Sequence, residues 1–88
     1  MVGKIDKVRI DKWLWWARFF KTRSLAAKKI SNGAVRVNSH RVLKPSTEIT
    51  IDDVLTLKQQ KIVRVIRVAS LGQKREKYDI AKQMYEDI

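Results

Sequence analysis

The 88-residue chain has no cysteine and a single histidine, His40. Disulfides, thiolate metal sites and cysteine nucleophiles are excluded, and one histidine cannot assemble a zinc site alone. No apolar run approaches the roughly 18–20 residues that span a bilayer. The opening "MVGKIDKV" holds no apolar signal-peptide core, so a soluble cytoplasmic protein without a membrane partner is expected. Acids are the other scarcity. Nine Asp and Glu stand against twenty Lys and Arg, a formal charge of +11. From Arg9 to Lys44 run ten cations (Arg9, Lys12, Arg18, Lys21, Arg23, Lys28, Lys29, Arg36, Arg41 and Lys44) and one acid, Asp11. Like charge so concentrated opposes compaction unless a partner neutralises it, which points to a polyanion.

What remains is one small domain. A chain of this size buries only about 60–65% of its unfolded surface, so its core leans on a few large side chains. Five of the seven aromatic residues lie in "DKWLWWARFFKTR", interleaved with Lys12, Arg18, Lys21 and Arg23. Ile10, Trp13, Leu14, Ala17 and Phe20 recur at helical spacing, which predicts a helix from Ile10 to Phe20. Asp11 is its expected N-cap, with a hydrophobic staple between Ile10 and Trp15. Truncating a buried Trp or Phe costs about 3–5 kcal/mol, against about 1–3 kcal/mol for stacking a base on an exposed ring. Trp13, Phe20 and, at the margin, Trp16 are therefore assigned to the core. Trp15 and Phe19 fall on the opposite side, open to internal cover or to base stacking.

A second helix is expected to start at Thr22, run through "RSLAAKKI" and stop at Asn32–Gly33. Alternation in "AVRVN" then marks a strand with Arg36 on its outer side. "NSHR" is a turn, Pro45 ends the next strand, and "EITI", "DVLTL" and "KIVRVIRVA" give further strands. Arg64 and Arg67, three apart, face opposite ways. "YDIAKQMYEDI" reads as a closing helix with Ala81, Met84, Tyr85 and Ile88 as its apolar stripe and Lys82–Glu86 as an i,i+4 pair. The fold class is α+β: two packed N-terminal helices, a small, mostly antiparallel, twisted sheet, and a C-terminal helix. The divisions are a tail at 1–8, a core at 9–58, and a final strand and helix at 59–88 completing the same domain.

Chemistry concentrates at the junction of the two helices. Lys21, Thr22, Arg23 and Ser24 place two cations and two hydroxyls where a helix start favours an anion, and Lys28 and Lys29 extend the positive surface one turn on. An ordinary capped helix with solvated cations would carry the same residues. The hairpin tip adds Asn38 and Arg41, followed by Lys44, donors suited to phosphate or 2′-hydroxyl groups. Catalytic patterns are missing: there is no P-loop, GxSxG or HExxH, and Asp52–Asp53 reads as a turn. Neither enzyme activity nor a cofactor or metal is expected.

The stretch from Arg9 to Lys58 resembles the RNA-binding domain named after ribosomal protein S-four. It opens on Arg9–Ile10–Asp11, restarts at Thr22–Arg23, and leaves by Ile30 to Asn38 in the form Ile-x-x-Gly-x-Val-x-Val-Asn. "DKWLWWARFFKTRSLA", "KPS" and "AKQMYED" narrow the resemblance to the heat-shock protein fifteen family and its short relatives in ribosome quality control. The resemblance implies the αL RNA-binding motif and binding to ribosomal RNA of the large subunit, obstructed by a peptidyl-tRNA. It implies an RNA-facing surface at Arg9, Lys12, Lys21, Thr22, Arg23, Lys28, Lys29, Asn38, Arg41 and Lys44, to which the charge pattern adds Arg18 and Ser24. The tip reads Asn-Ser where the family often has Asn-Gly, and the basic tail of longer members is missing, so functions needing that tail are not implied. The protein is expected to be monomeric when free. Two rivals stand beside this reading: a helix-turn-helix DNA binder, and the targeting module of an RNA-modifying enzyme.

Overall fold

The computed structural model describes residues 6–88; the expectations for residues 1–5 lie outside this range. A short strand β1 (Val8–Arg9) leads directly into helix α1 (Ile10–Trp16). The helix begins two residues earlier than a cap at Asp11 predicts. Arg9 occupies the N-cap and offers no side-chain cap. Two first-turn N–H groups instead find carbonyls in a distant loop: Ile10 donates to Thr47 at 2.7 Å and Asp11 to Pro45 at 3.4 Å. With its capping work done by backbone, Asp11 turns its carboxylate elsewhere, and Ile10 becomes a buried helical residue rather than a staple.

The helix also ends earlier than its periodicity suggests. Arg18 takes a left-handed conformation, φ 66°. Its N–H donates to Trp15 at 3.1 Å while that of Phe19 reaches back to Leu14 at 3.0 Å, the pair of bonds that closes a Schellman stop. A residue with a Cβ occupies the place glycine prefers, so the sequence carries no stop signal there. The chain therefore leaves the helix before Phe19, which corrects its outward assignment. Phe19 packs inward, 6.0 Å from the Trp13 ring and 4.6 Å from that of Tyr85.

Helix α2 (Arg23–Ser31) behaves as read. Thr22 is its N-cap, the hydroxyl accepting from Leu25 N–H at 3.1 Å. Asn32 is the C-cap and Gly33, φ 82°, supplies the left-handed residue. The helices pack through Ile10, Trp13, Leu14 and Ala17 on one side and Ala26 and Ile30 on the other, all buried.

Among the described residues, seven strands all pair antiparallel. β1 pairs with β4 (Glu48–Ile49). The main sheet has the order β3-β2-β5-β6-β7, with β2 (Val35–Val37), β3 (His40–Arg41), β5 (Val54–Gln59), β6 (Ile62–Val68) and β7 (Tyr85–Asp87). The β2–β3 turn puts Asn38 at φ 51° and Ser39 at φ 72°, the double positive φ of a two-residue type I′ hairpin. Serine thus adopts the conformation that Asn-Gly would supply. Val35, Leu55, Leu57, Ile66 and Val68 turn inward to meet the helices. Trp13, fully buried, anchors this core and donates its indole N–H to the Ser70 carbonyl at 2.8 Å.

The closing helix is shorter than predicted. α3 covers only Tyr78–Ala81, a 3₁₀ turn follows at Lys82–Met84, and Tyr85–Asp87 becomes the edge strand β7. Ala81 and Met84 are buried as read, but Ile88 is exposed. Lys82 and Glu86 form no i,i+4 pair, because Glu86 lies in the strand and pairs with Arg67 of β6. An open edge on β6 outweighs the weak helical preference of a four-residue segment, since short helices gain little from propensity alone.

Candidate nucleic-acid interface

The geometry starts from Asp11. Its side chain is 4% exposed and is the one buried charged group among the described residues. Arg9 donates to it through Nε at 3.2 Å and Nη2 at 3.0 Å. Arg23 donates Nε at 3.3 Å from the start of α2. The Lys12 N–H completes the set at 2.8 Å. One carboxylate therefore binds a guanidinium from each side of the helix junction, and both guanidiniums remain partly exposed. A buried charge is tolerated when its oxygens are this fully satisfied.

Around this hub the elements collect several sequence-predicted residues. Lys21 and Thr22 are exposed in the bend between the helices, Ser24 is exposed in the first turn of α2, and Lys28 and Lys29 are exposed in its last turn. The Lys12 ammonium lies 5.5 Å from the Trp16 ring. Because Asp11 N–H meets the Pro45 carbonyl, exposed Lys44 is carried to the start of α1.

Three predicted residues sit apart from the hub. Arg18 donates Nε to the Glu76 carbonyl at 2.5 Å. Asn38 is tied into the sheet: its Nδ2 donates to Asp53 at 3.1 Å and its Oδ1 accepts from Val54 N–H at 2.9 Å. Arg41 lies on the outer face of the sheet, opposite Arg36 in register. Arg36 and Lys58 were outside the predicted site, and both line a cleft with Arg41. Alternation placed Arg36 outward, but which strand lies beside it is a pairing that one sequence does not display.

The remaining arginines have other partners. Arg64 pairs with Asp87 at 2.9 Å and covers the Phe19 ring at 5.1 Å. The Asp87 hydrogen bond raises its pKa above the ordinary value. Arg67, on the opposite face as expected, pairs with Glu86 and lies 3.6 Å from Asp52. Arg75 reaches the Trp15 and Phe20 carbonyls and lies 5.7 Å from the Trp15 ring. Burial, aided by nearby Arg18, lowers its pKa. Trp15 is thus covered on this side by a guanidinium of its own chain. Among the described residues no three potential ligands gather for a metal, and no helix is long and apolar enough to cross a membrane.

Two tight helices presenting cations, with a hairpin at their flank, define a class. The model of the S4 domain family matches residues 8–55. Over 81 residues the chain is 41% identical to heat shock protein 15 of Escherichia coli strain K12 and 38% identical to its homolog in Aeromonas salmonicida, covering 92% of this chain in each case. It spans 60–61% of the length of those relatives. A solved structure of Vibrio cholerae heat shock protein 15, described as trimeric, superposes with a TM-score of 0.88 at 38% identity, covering 94% of this chain and 83% of that one. The chain belongs to the S4 family of RNA-binding domains and, within it, to the heat shock protein 15 family.

Proposed function

We propose that the protein grips structured ribosomal RNA of the large subunit through phosphate and sugar contacts, in the rescue or quality control of obstructed ribosomes, and catalyses no reaction. A subunit holding a peptidyl-tRNA is the implied target, and the tRNA itself is a second candidate contact. The observation that carries this reading is the arrangement around Asp11. The only acid between Arg9 and Lys44 is turned inward and committed to its own chain. Arg9 and Arg23 share it and stay partly exposed, and the other eight cations of the stretch have no acid there to neutralise them, as a polyphosphate surface requires. Family membership supports RNA as that surface. Shape and backbone contacts, rather than base edges, supply selectivity. The exposed positions of α2 include Ser24, Leu25, Lys28 and Lys29, a poor set for reading bases in a DNA major groove.

The test is filter binding to purified large subunits and to ribosomal RNA across a salt series, with duplex DNA as competitor. With about six phosphates neutralised, log affinity falls against log salt with a slope of roughly −4 to −5. A slope near zero, or equal displacement by duplex DNA, overturns the reading. Sedimentation of tagged protein through sucrose separates free large subunits from whole ribosomes as its carrier.

A further inference from the structure

The outer face of the main sheet carries a second cationic site that the helix junction does not include. Arg36 of β2 lies opposite Arg41 of β3 on one side and Thr56 of β5 on the other. Lys58, two residues past Thr56, points to the same face. Its N–H donates to the Ala34 carbonyl at 2.9 Å, which holds β5 against the start of β2. The three cations share a cleft of about 400 Å³ with Ser39 and Thr56, whose hydroxyls add donors. No acid lines it, and among the described residues none of the three cations is ion-paired.

Two details mark this as more than a solvated strand. Like charges directly opposite across an antiparallel pair repel, yet Arg36 and Arg41 occupy such a position. The same sheet elsewhere pairs its arginines with acids, Arg64 with Asp87 and Arg67 with Glu86. Arg41, moreover, runs alongside Gly33 at the edge of the same cleft: a Cβ there would stand 3.4 Å from Arg41 Cδ and 3.6 Å from its Nε, in ordinary contact.

We infer that Arg36, Arg41 and Lys58 form a backbone-phosphate site on the outer sheet face, taking a stretch of RNA other than the one held at the helix junction. This inference rests on the RNA-binding reading above. Guanidinium and ammonium groups flanked by hydroxyls match phosphodiester oxygens. The apolar floor offered by Val63 is too small to take a protein helix.

The experiment uses the full chain and two double variants, Arg36→Gln/Lys58→Gln and Lys28→Gln/Lys29→Gln, each checked by thermal melting. In binding to total ribosomal RNA, losing two phosphate contacts in the sheet pair flattens the salt slope by about 1.5 and weakens binding about tenfold at 0.15 M salt. In amide NMR, inorganic pyrophosphate shifts Arg36, Arg41 and Lys58 of the unaltered protein, and these shifts vanish in the sheet variant while those of α2 persist. If the α2 variant loses affinity and the sheet variant keeps both affinity and slope, the second site is refuted while the RNA-binding reading stands. If the unaltered chain ignores ribosomal RNA, both fall together. Polyglutamate that matches RNA at equal salt, shifting the same amides, also overturns the assignment to a nucleic-acid backbone.

Discussion

The two halves of the molecule treat positive charge in opposite ways. In the closing half, Arg64 and Arg67 of β6 each meet an acid on the neighbouring edge strand, and Arg64 also covers two aromatic rings. Those cations fasten β7 to the sheet. Between Arg9 and Lys44, one inward-turned acid meets two of ten cations, Arg9 and Arg23, and the other eight meet none among the described residues. Net charge alone would not separate these cases. Cations met by acids on an adjacent strand are part of the fold; cations left without them are available to a partner.

Removing the one inward acid breaks this contrast most severely. Asp11→Ala leaves two guanidiniums facing each other across the helix junction and opens the seam between α1 and α2. Breaking a buried pair costs about 3–5 kcal/mol. The half-exposed arginines reduce that here to about 2–3 kcal/mol, measurable by urea unfolding. A loss below about 0.5 kcal/mol would show that the junction does not depend on the carboxylate. The next effect is on binding alone. Lys28→Gln/Lys29→Gln weakens ribosomal RNA binding about tenfold at physiological salt and leaves the urea midpoint within error. Coupled loss of both would make these lysines structural, like Arg64 and Arg67 of β6.

Arg64→Gln inverts the pattern: RNA binding stays unchanged, and stability falls by about 1 kcal/mol, reflecting an exposed ion pair and a guanidinium over Phe19. A binding defect without a stability change would move Arg64 to the functional side of the comparison. Smallest is Ser39→Gly, which relieves a left-handed residue at the hairpin tip and raises stability by up to about 1 kcal/mol. A destabilised variant would mean that the serine side chain supports the turn.

How much of this was legible in the sequence depended on whether a signal was local. Thr22 and Asn32–Gly33 bracket α2 because capping and glycine act within a few residues. The α+β class followed from the change of period after Gly33 and was correct. Arg18 failed the same logic: it ends α1 with the backbone of a glycine and the side chain of an arginine, held by Glu76, fifty-eight positions away. Asp11 misled for a related reason, since Pro45 and Thr47 supply the acceptors that its own side chain would otherwise mimic. The residues from Tyr85 to Asp87 look helical alone and become strand because β6 offers an unpaired edge. Within the candidate site, the run from Lys21 to Ser24 was visible as composition. The meeting of Arg9 with Arg23, and of Arg36 with Lys58, required three-dimensional pairing.

The carboxylate shared by Arg9 and Arg23 also has a kinetic and entropic side. Both guanidiniums are held in place before any partner arrives, so docking need not freeze their rotamers, whereas each lysine of α2 must still be immobilised on contact. On the proposed RNA the arginines would act as a rigid gauge of phosphate spacing and the lysines as an adjustable fringe, so mismatched geometry would be rejected at the first pair and tolerated at the second.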